Sequence, residues 1–128
     1  MVGKKVLIVD DQAGIRALLR EVFSVFGFEV IEAQNGYEGL DKLEKRPDII
    51  LLDMKMPGLS GIETLRQLRM KNASVPVILV TAYQELEIIN EAERLGITAR
   101  LIKPFDLEEL QRIVRRVTET PELQVAGA

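Results

Sequence analysis

The amino-acid sequence predicts an α/β fold in three layers, with a parallel five-stranded sheet between two layers of helices. Five short apolar runs alternate with segments in which apolar residues recur every three or four positions. This alternation is typical of parallel strands joined by crossover helices. The chain has 128 residues, which is the size of one domain. We therefore expect a single folded domain over residues 1–118 and a flexible tail over residues 119–128.

The five apolar runs are the predicted strands, at residues 5–9, 29–33, 48–52, 77–80 and 99–102. A central strand of a parallel sheet is covered on both faces and therefore consists of a continuous apolar run. The first, third and fourth runs are continuous, whereas the second and fifth contain polar residues and belong at the edges. The pattern predicts the strand order 2-1-3-4-5, which is the order of flavodoxin-like folds.

The helices are predicted from periodicity and from capping signals. The apolar positions of the first helix are Ile15, Leu18, Leu19, Val22, Phe23 and Phe26. Because this set is wider than one narrow stripe, one or two of its members belong on the exposed border of the helix, and Gly27 ends it. A second helix follows Asn35, and a fourth covers residues 85–95. The third and fifth begin at Ser60 and Asp106, each with an acidic residue three positions later.

The composition excludes several classes of protein. The formal net charge is −3, without a long run of Lys or Arg, so we expect no nucleic-acid or membrane partner. There is no Cys, which excludes disulfides and thiolate metal sites. No apolar run approaches the ~18 residues of a membrane-spanning helix, and the amino-terminal sequence does not resemble a signal peptide. We expect a cytoplasmic monomer.

Five polar residues are predicted to gather at one edge of the sheet. Asp10 and Asp11 follow the first strand, and Asp53 follows the third. Thr81 follows the fourth strand and Lys103 the fifth. The carboxyl ends of parallel strands lie at the same edge, where ligands bind. Three carboxylates at short range repel one another, and a divalent cation would offset that repulsion. Mg²⁺ suits a shallow site with few protein oxygens, because it retains much of its water.

This set of residues is suited to phosphoryl transfer, which depends on positioning and on charge neutralisation. The Asp53 carboxylate can serve as the nucleophile. Lys103 can pair with Asp53 or with a phosphoryl oxygen, and the Thr81 hydroxyl can donate to another oxygen. Taken singly, each residue has a plainer explanation, as a helix cap, a turn residue, a strand end or a solvated lysine. The conjunction of four independent segments at one edge favours the functional interpretation.

Four segments of the chain resemble the receiver family of response regulators in two-component systems. They are VLIVDDQ, DIILLDMKMPGLSGIE, VTAY and LIKPF, and the resemblance extends over residues 4–118. It implies a cis peptide bond between Lys103 and Pro104. Within the family, the segment DDQAGIRALLREVF is similar to the single-domain intermediates of sporulation phosphorelays.

The resemblance also implies a role for each residue of the site. Asp53 would be the phosphoacceptor, and Thr81 and Lys103 would respond to the phosphoryl group. The Mg²⁺ ion would be held by Asp10, Asp11, Asp53 and the main-chain carbonyl of Lys55. The chemistry would be a self-catalysed transfer to and from Asp53, without turnover of a small substrate.

One position departs from the pattern of the family. Receivers that switch allosterically usually carry Tyr or Phe three residues before the lysine, and this chain has Arg100 there. A guanidinium is costly to bury, so we do not expect Arg100 to swing inward as an aromatic ring does at this position. The departure favours a relay, in which the partner protein contacts the phosphorylation site itself.

We therefore predict a phosphorelay intermediate that takes a phosphoryl group from a sensor histidine kinase and passes it to a histidine phosphotransferase, with a phosphatase as a further partner. The chain has no His, so any phosphohistidine belongs to a partner. The alternative is a chemotaxis-like receiver that binds a target without passing the group on.

The few residues after Val117 disfavour a transcription factor, unless the chain is an excised receiver. Lys55 disfavours a phosphatase of the haloacid dehalogenase type, which normally carries a second Asp there.

The docking surface for such partners is predicted beside the site, where the first helix begins directly after Asp11. Apolar residues around a charged centre are the usual anatomy of a binding patch. The predicted patch comprises Gln12, Gly14, Ile15, Leu18, Tyr83, Pro104 and Phe105. Gly14 could mark a close approach of the partner's backbone or be a tolerated surface glycine.

Overall fold

The computed structural model describes residues 3–71, 74–82 and 86–118. In chain order the elements are β1 (Lys5–Val9), α1 (Ala13–Val25), β2 (Glu29–Ala33), α2 (Gly36–Asp41), a 3₁₀ turn (Lys42–Lys45), β3 (Ile49–Asp53), α3 (Gly61–Lys71), β4 (Val77–Thr81), α4 (Leu86–Leu95), β5 (Ala99–Ile102) and α5 (Leu107–Thr118). The predicted tail at 119–128 lies outside these residues. No helix in the part of the chain described has the length and apolarity to cross a membrane.

The five strands form one parallel sheet in the order β2-β1-β3-β4-β5. The predicted fold class and strand order are confirmed. Three strand boundaries differ by one residue from the prediction, because β3 begins at Ile49 and ends at Asp53, and β4 ends at Thr81. The backbone ladder continues past the apolar run, since Met54 N donates to Val80 O and Lys103 N donates to Thr81 O. Both polar residues are therefore held by the sheet rather than by the loops that follow.

The core consists of two apolar layers, one on each face of the sheet. All residues of β3 and β4 are buried, as expected for central parallel strands. On one face, side chains of α2, α3 and α4 pack against alternate strand residues such as Leu7 and Leu52. On the other face, α1 and α5 pack against Ile8 and Leu51. The two clusters fix the helices that lead into and out of the carboxyl edge of the sheet.

Helix α1 has the wide apolar face that its sequence predicts. Leu19, Val22 and Phe23 are buried, and Ile15 and Phe26 are half-buried. Leu18 is 42% exposed and is the border residue that the wide stripe implies. Gly27, at φ +88°, ends the helix as predicted, because its N–H turns back to Ser24 O.

The remaining predicted caps are also present. The Asn35 side chain accepts from Glu38 N at 2.8 Å, and Ser60 Oγ accepts from Glu63 N at 3.3 Å. Asp106 Oδ1 accepts from Glu109 N at 2.7 Å. Each bond satisfies one N–H of a first helical turn, which has no partner within its own helix.

The start of α3 packs directly against the end of β3. Gly61 N donates to Met54 O at 3.0 Å. A Cβ atom at Gly61 would lie 2.4 Å from Asp53 O and 2.5 Å from the Cα of Met54. Since both are backbone atoms, they cannot yield as the tip of a side chain could. The close approach of α3 to the strand that carries Asp53 requires glycine.

We expect Gly61→Ala to lower the free energy of unfolding by about 1–3 kcal/mol, because an added methyl overpacks this junction. Gly14→Ala is the matched control, since a Cβ at Gly14 meets nothing within 4 Å. It should leave stability unchanged or raise it by about 0.5 kcal/mol, through lower chain entropy in the unfolded state. Urea denaturation of the two variants measures both effects. Equal stabilities would contradict the close packing at Gly61.

Candidate functional site

The structure brings the polar residues predicted at the strand ends to one edge of the sheet. Asp10 follows β1 and is 1% exposed, and Asp53 ends the neighbouring β3 and is 4% exposed. Asp11 is exposed. Carboxylate oxygens of the three residues lie within 4.8 Å of one another. Thr81 is buried at the end of β4, one strand away from Asp53.

Lys103 is the cation of this cluster. Its Nζ lies 3.4 Å from Asp10 Oδ2 and 3.4 Å from Asp53 Oδ1. It also donates to Gln12 Oε1 at 3.3 Å. The peptide bond between Lys103 and Pro104 is cis, as the resemblance implied. With a side chain only 21% exposed, Lys103 lies against the carboxylates, and its interpretation as a solvated loop lysine is wrong.

The loop after β1 is fixed by hydrogen bonds to Asp10. The Asp10 N–H donates to Ala33 O, and its Oδ1 accepts from Gln12 N at 2.9 Å. Gln12, and neither aspartate, occupies the N-cap position of α1. The simple explanation of Asp10 and Asp11 as helix caps is therefore wrong.

Burial and the neighbouring carboxylate together raise the pKa of Asp53 to about 6, from an ordinary value of 3.8. The larger cause is the loss of water around the anion, followed by the negative charge of Asp10. The charge and hydrogen bond of Lys103 and the N–H of Lys55 lower the pKa of Asp53 without reversing the shift. The anionic Asp53 thus has a deficit of positive charge, which a bound cation would remove.

The donor set is suited to a hard cation. Its ligand atoms are carboxylate oxygens of Asp10, Asp11 and Asp53, and one of the three side chains is open to water. Lys55 lines the same depression, of about 240 Å³, together with Gln12 and Ala82. All-oxygen ligands with room for water fit Mg²⁺ better than a metal that prefers nitrogen or sulfur.

A second depression, of about 420 Å³, adjoins this site and contains most of the predicted docking patch. It is lined by Ile15, Leu18, Ala82, Lys103, Pro104 and Phe105. Gln12 and Gly14 are exposed beside it, and the backbone at Gly14 is open to the surface. Tyr83, also predicted to belong to the patch, lies outside the described residues.

Arg16 contacts the site, and sequence reasoning missed it. Its guanidinium donates to the main-chain carbonyl of Asp10 at 2.6 Å and pairs with Glu32 on β2 at 3.5 Å. The side chain is only 16% exposed. A charged residue beside an apolar helical stripe is ordinarily solvated. The position of Arg16 in the sequence therefore did not indicate a contact with the site. The Gly61 contact was missed for a similar reason, because it joins two segments through backbone atoms.

Comparison with known proteins shows a consistent similarity. A family model described as "Response regulator receiver domain" matches residues 6–115. The chain is 46% identical to sporulation initiation phosphotransferase F of Bacillus subtilis, over 91% of this chain and 94% of that protein. It is 40% identical to the regulatory protein AtoC of Escherichia coli, over 94% of this chain and 26% of that longer protein.

Solved structures show the same fold. The chemotaxis protein CheY4 of Vibrio cholerae superimposes with a TM-score of 0.83 at 35% identity, covering 89% of this chain and 98% of that one. A chain from the CheX-CheY-BeF3-Mg complex of Borrelia burgdorferi superimposes with a TM-score of 0.85 at 27% identity, covering 93% of this chain and 92% of that one.

The raised pKa of Asp53 predicts a stability that depends on pH. The native state binds this proton more tightly than the unfolded chain, so the cost of holding the anion is absent below about pH 4, grows as pH rises, and is complete above about pH 6. Asp53→Asn removes that cost. We expect the variant, in the presence of EDTA, to be more stable than the unaltered protein by about 2–3 kcal/mol at pH 7.

The gain should vanish at pH 4, where the unaltered Asp53 is protonated in the native state. Asp41→Asn, at an exposed position of α2, is the control and should change little at either pH. Denaturant titrations at the two pH values provide the measurement. A gain in stability of equal size at both pH values would mean that the ionised Asp53 carboxylate does not destabilise the native state.

Proposed function

This chain belongs to the response regulator receiver domain family of two-component systems, and we propose that it is a phosphorelay intermediate in the cytoplasm. Asp53 accepts a phosphoryl group from a phosphohistidine of a sensor kinase and donates it to a histidine of a phosphotransferase protein. The observation that carries the proposal is the buried Asp53 carboxylate with Lys103 at 3.4 Å and two further aspartates beside it.

The transfer conserves atoms and charge in each direction. An Asp53 carboxylate oxygen forms a bond to phosphorus while the bond from phosphorus to the kinase imidazole nitrogen breaks, and the electron pair stays on that nitrogen. Onward transfer reverses the step with the histidine of the phosphotransferase. Lys103 contacts the reacting carboxylate and can follow the negative charge onto the phosphoryl oxygens. Thr81, at the end of β4, supplies a hydroxyl donor on the side toward β5.

The donor set fits a Mg²⁺ ion, which Asp10, Asp11, Asp53 and the main-chain carbonyl of Lys55 would hold. When bound, the ion would supply positive charge that neutralises the phosphoryl oxygens. The raised pKa of Asp53 supports this assignment, because the anion that must attack is short of positive charge without a cation.

The surface of β5 favours a relay over an allosteric switch. Arg100 is exposed, so the position three residues before Lys103 holds a solvated cation instead of a mobile aromatic ring. A relay partner needs no such ring, because it contacts Asp53 directly. The 46% identity to a sporulation initiation phosphotransferase supports a relay of that type, including a role in initiating sporulation.

A chemotaxis-like function is the second candidate. The similarity of the fold to CheY4 of V. cholerae favours a receiver that binds a target while phosphorylated and passes nothing on. The exposed Arg100 and the apolar groove beside the site favour the relay. The two functions differ in one measurable property, which is transfer of the group to a second histidine.

For the relay, docking occurs on the groove beside Asp53. Beside the charged centre the proposed patch presents Gln12, Gly14, Ile15, Leu18, Pro104 and Phe105. Tyr83, which the sequence also assigns to the patch, lies outside the described residues. Leu18 is the most informative member to alter, because its exposure of 42% allows truncation without opening the core.

Asp53→Asn should abolish acid-labile labelling by acetyl phosphate and by a phosphorylated histidine kinase domain, because the amide is not a competent nucleophile. Labelling of the unaltered protein should require Mg²⁺ and should be lost in EDTA. Asp41→Asn is the matched control and should label normally. Undiminished labelling of the Asp53 variant would refute the phosphoacceptor assignment.

Leu18→Ala should slow phosphoryl exchange with a histidine phosphotransferase about tenfold, which corresponds to about 1.4 kcal/mol of lost contact energy. Labelling by acetyl phosphate, which needs no docking surface, should be unchanged. Met70→Ala removes a side chain that is 82% exposed on α3 and should affect neither reaction. A normal exchange rate in the Leu18 variant would place docking elsewhere. Absence of any transfer by the unaltered protein would favour the chemotaxis-like function.

A further inference from the structure

We propose that Arg16 is a positioning residue for the acidic cluster, and that Glu32 holds it in place. The inference rests on the proposed Mg²⁺ site and goes beyond it, because Arg16 lies outside the set of metal ligands. Arg16 fixes the position of the main chain of Asp10 and Asp11. It thereby determines how tightly the cluster binds a divalent cation.

The contacts of Asp10 carry the proposal. Its N–H is fixed by Ala33 O on β2, and its carboxylate is fixed by Gln12 N and by Lys103. Its carbonyl accepts from the Arg16 guanidinium at 2.6 Å. A charged donor at this distance makes a strong hydrogen bond. Removing it would free the peptide that joins the two aspartates.

Glu32 determines where the guanidinium lies. Its carboxylate pairs with Arg16 Nε at 3.5 Å and with Arg20 Nη1 at 2.8 Å. Arg16 thus uses Nε for Glu32 and Nη1 for Asp10. These are two nitrogens of one rigid plane, and the single nitrogen of a lysine does not reproduce their fixed spacing. The Arg20 side chain is 51% exposed, and its ion-pair partner among the described residues is Glu32.

The sign of the effect separates positioning from simple charge. If Arg16 acted only through its positive charge, its removal would make the site more negative and would strengthen Mg²⁺ binding. If it positions the ligands, its removal weakens Mg²⁺ binding, as is typical for residues that orient metal ligands through hydrogen bonds. The two explanations predict opposite changes for one variant.

The test is calorimetric titration of Mg²⁺ into the unphosphorylated 128-residue chain. We expect Arg16→Met to weaken binding about tenfold or more, and Arg16→Lys, which keeps the charge, to weaken it as well. Arg20→Met is the matched control and should retain the affinity of the unaltered protein. Asp11→Ala, which removes a proposed ligand, shows the size of a direct loss.

Denaturation in EDTA verifies that each variant is folded. If Arg16→Met does not fold, Arg16→Lys decides the question, because it keeps the positive charge, so that weaker Mg²⁺ binding then reflects lost positioning. Glu32→Gln, which leaves Arg16 intact but releases it, should weaken Mg²⁺ binding by a smaller factor. An affinity that is unchanged or tighter in the folded Arg16 variants, or unchanged in Glu32→Gln, would overturn the inference. Absence of Mg²⁺ binding by the unaltered protein would overturn the proposed metal site as well.

Discussion

Two carboxylates, Asp10 and Asp53, are buried side by side at the junction of β1 and β3, and the arrangement of the molecule follows from the cost of keeping them there. Among the residues that the structure describes, Lys103 is the cation that contacts both. It comes from β5, two strands away from Asp53. The cluster is therefore complete only when the whole sheet has assembled in its native order. Burial and then the charge of Asp10 raise the pKa of Asp53, and Lys103 does not reverse the shift. The resulting shortage of positive charge makes the edge receptive to a divalent ion and to chemistry at the carboxylate.

Sequence patterns predicted the sheet well because they record burial. The central strands β3 and β4 are covered on both faces, so their residues are uniformly apolar, whereas Glu32 in β2 and Arg100 in β5 interrupt the edge strands. The same patterns placed the ends of β3 and β4 one residue early. Asp53 and Thr81 continue the backbone hydrogen bonding of the sheet although their side chains are polar. A pattern of side-chain hydrophobicity therefore does not show that the strands extend to these residues. The acidic residues and the lysine were nevertheless located, because parallel strands always end at a common edge.

Two contacts of the site were not predicted from the sequence. Each joins separate segments of the chain, and the periodicity of a sequence does not show which segments meet. Arg16 reaches a main-chain carbonyl, and Gly61 allows α3 to approach Asp53. Each depends on the exact path of a backbone, and each residue type occurs commonly where it has no such contact. Leu18 lies between these cases. The breadth of the α1 stripe indicated that a border residue existed, but only the packing of α1 onto its face of the sheet determines which one it is.

The exposed charges on the outer strands have a further consequence for a sheet with two open edges. An unpaired strand presents free backbone groups to which another chain can add, and charged side chains on such a strand oppose that addition. Arg100 alternates with buried residues along β5, and β2 carries the exposed Glu29 and the half-buried Glu32. Both edges thus resist self-association through added strands, and the charges have opposite signs on the two sides. Substituting apolar residues for Arg100 or Glu32 would remove these charges and favour the addition of strands from another chain.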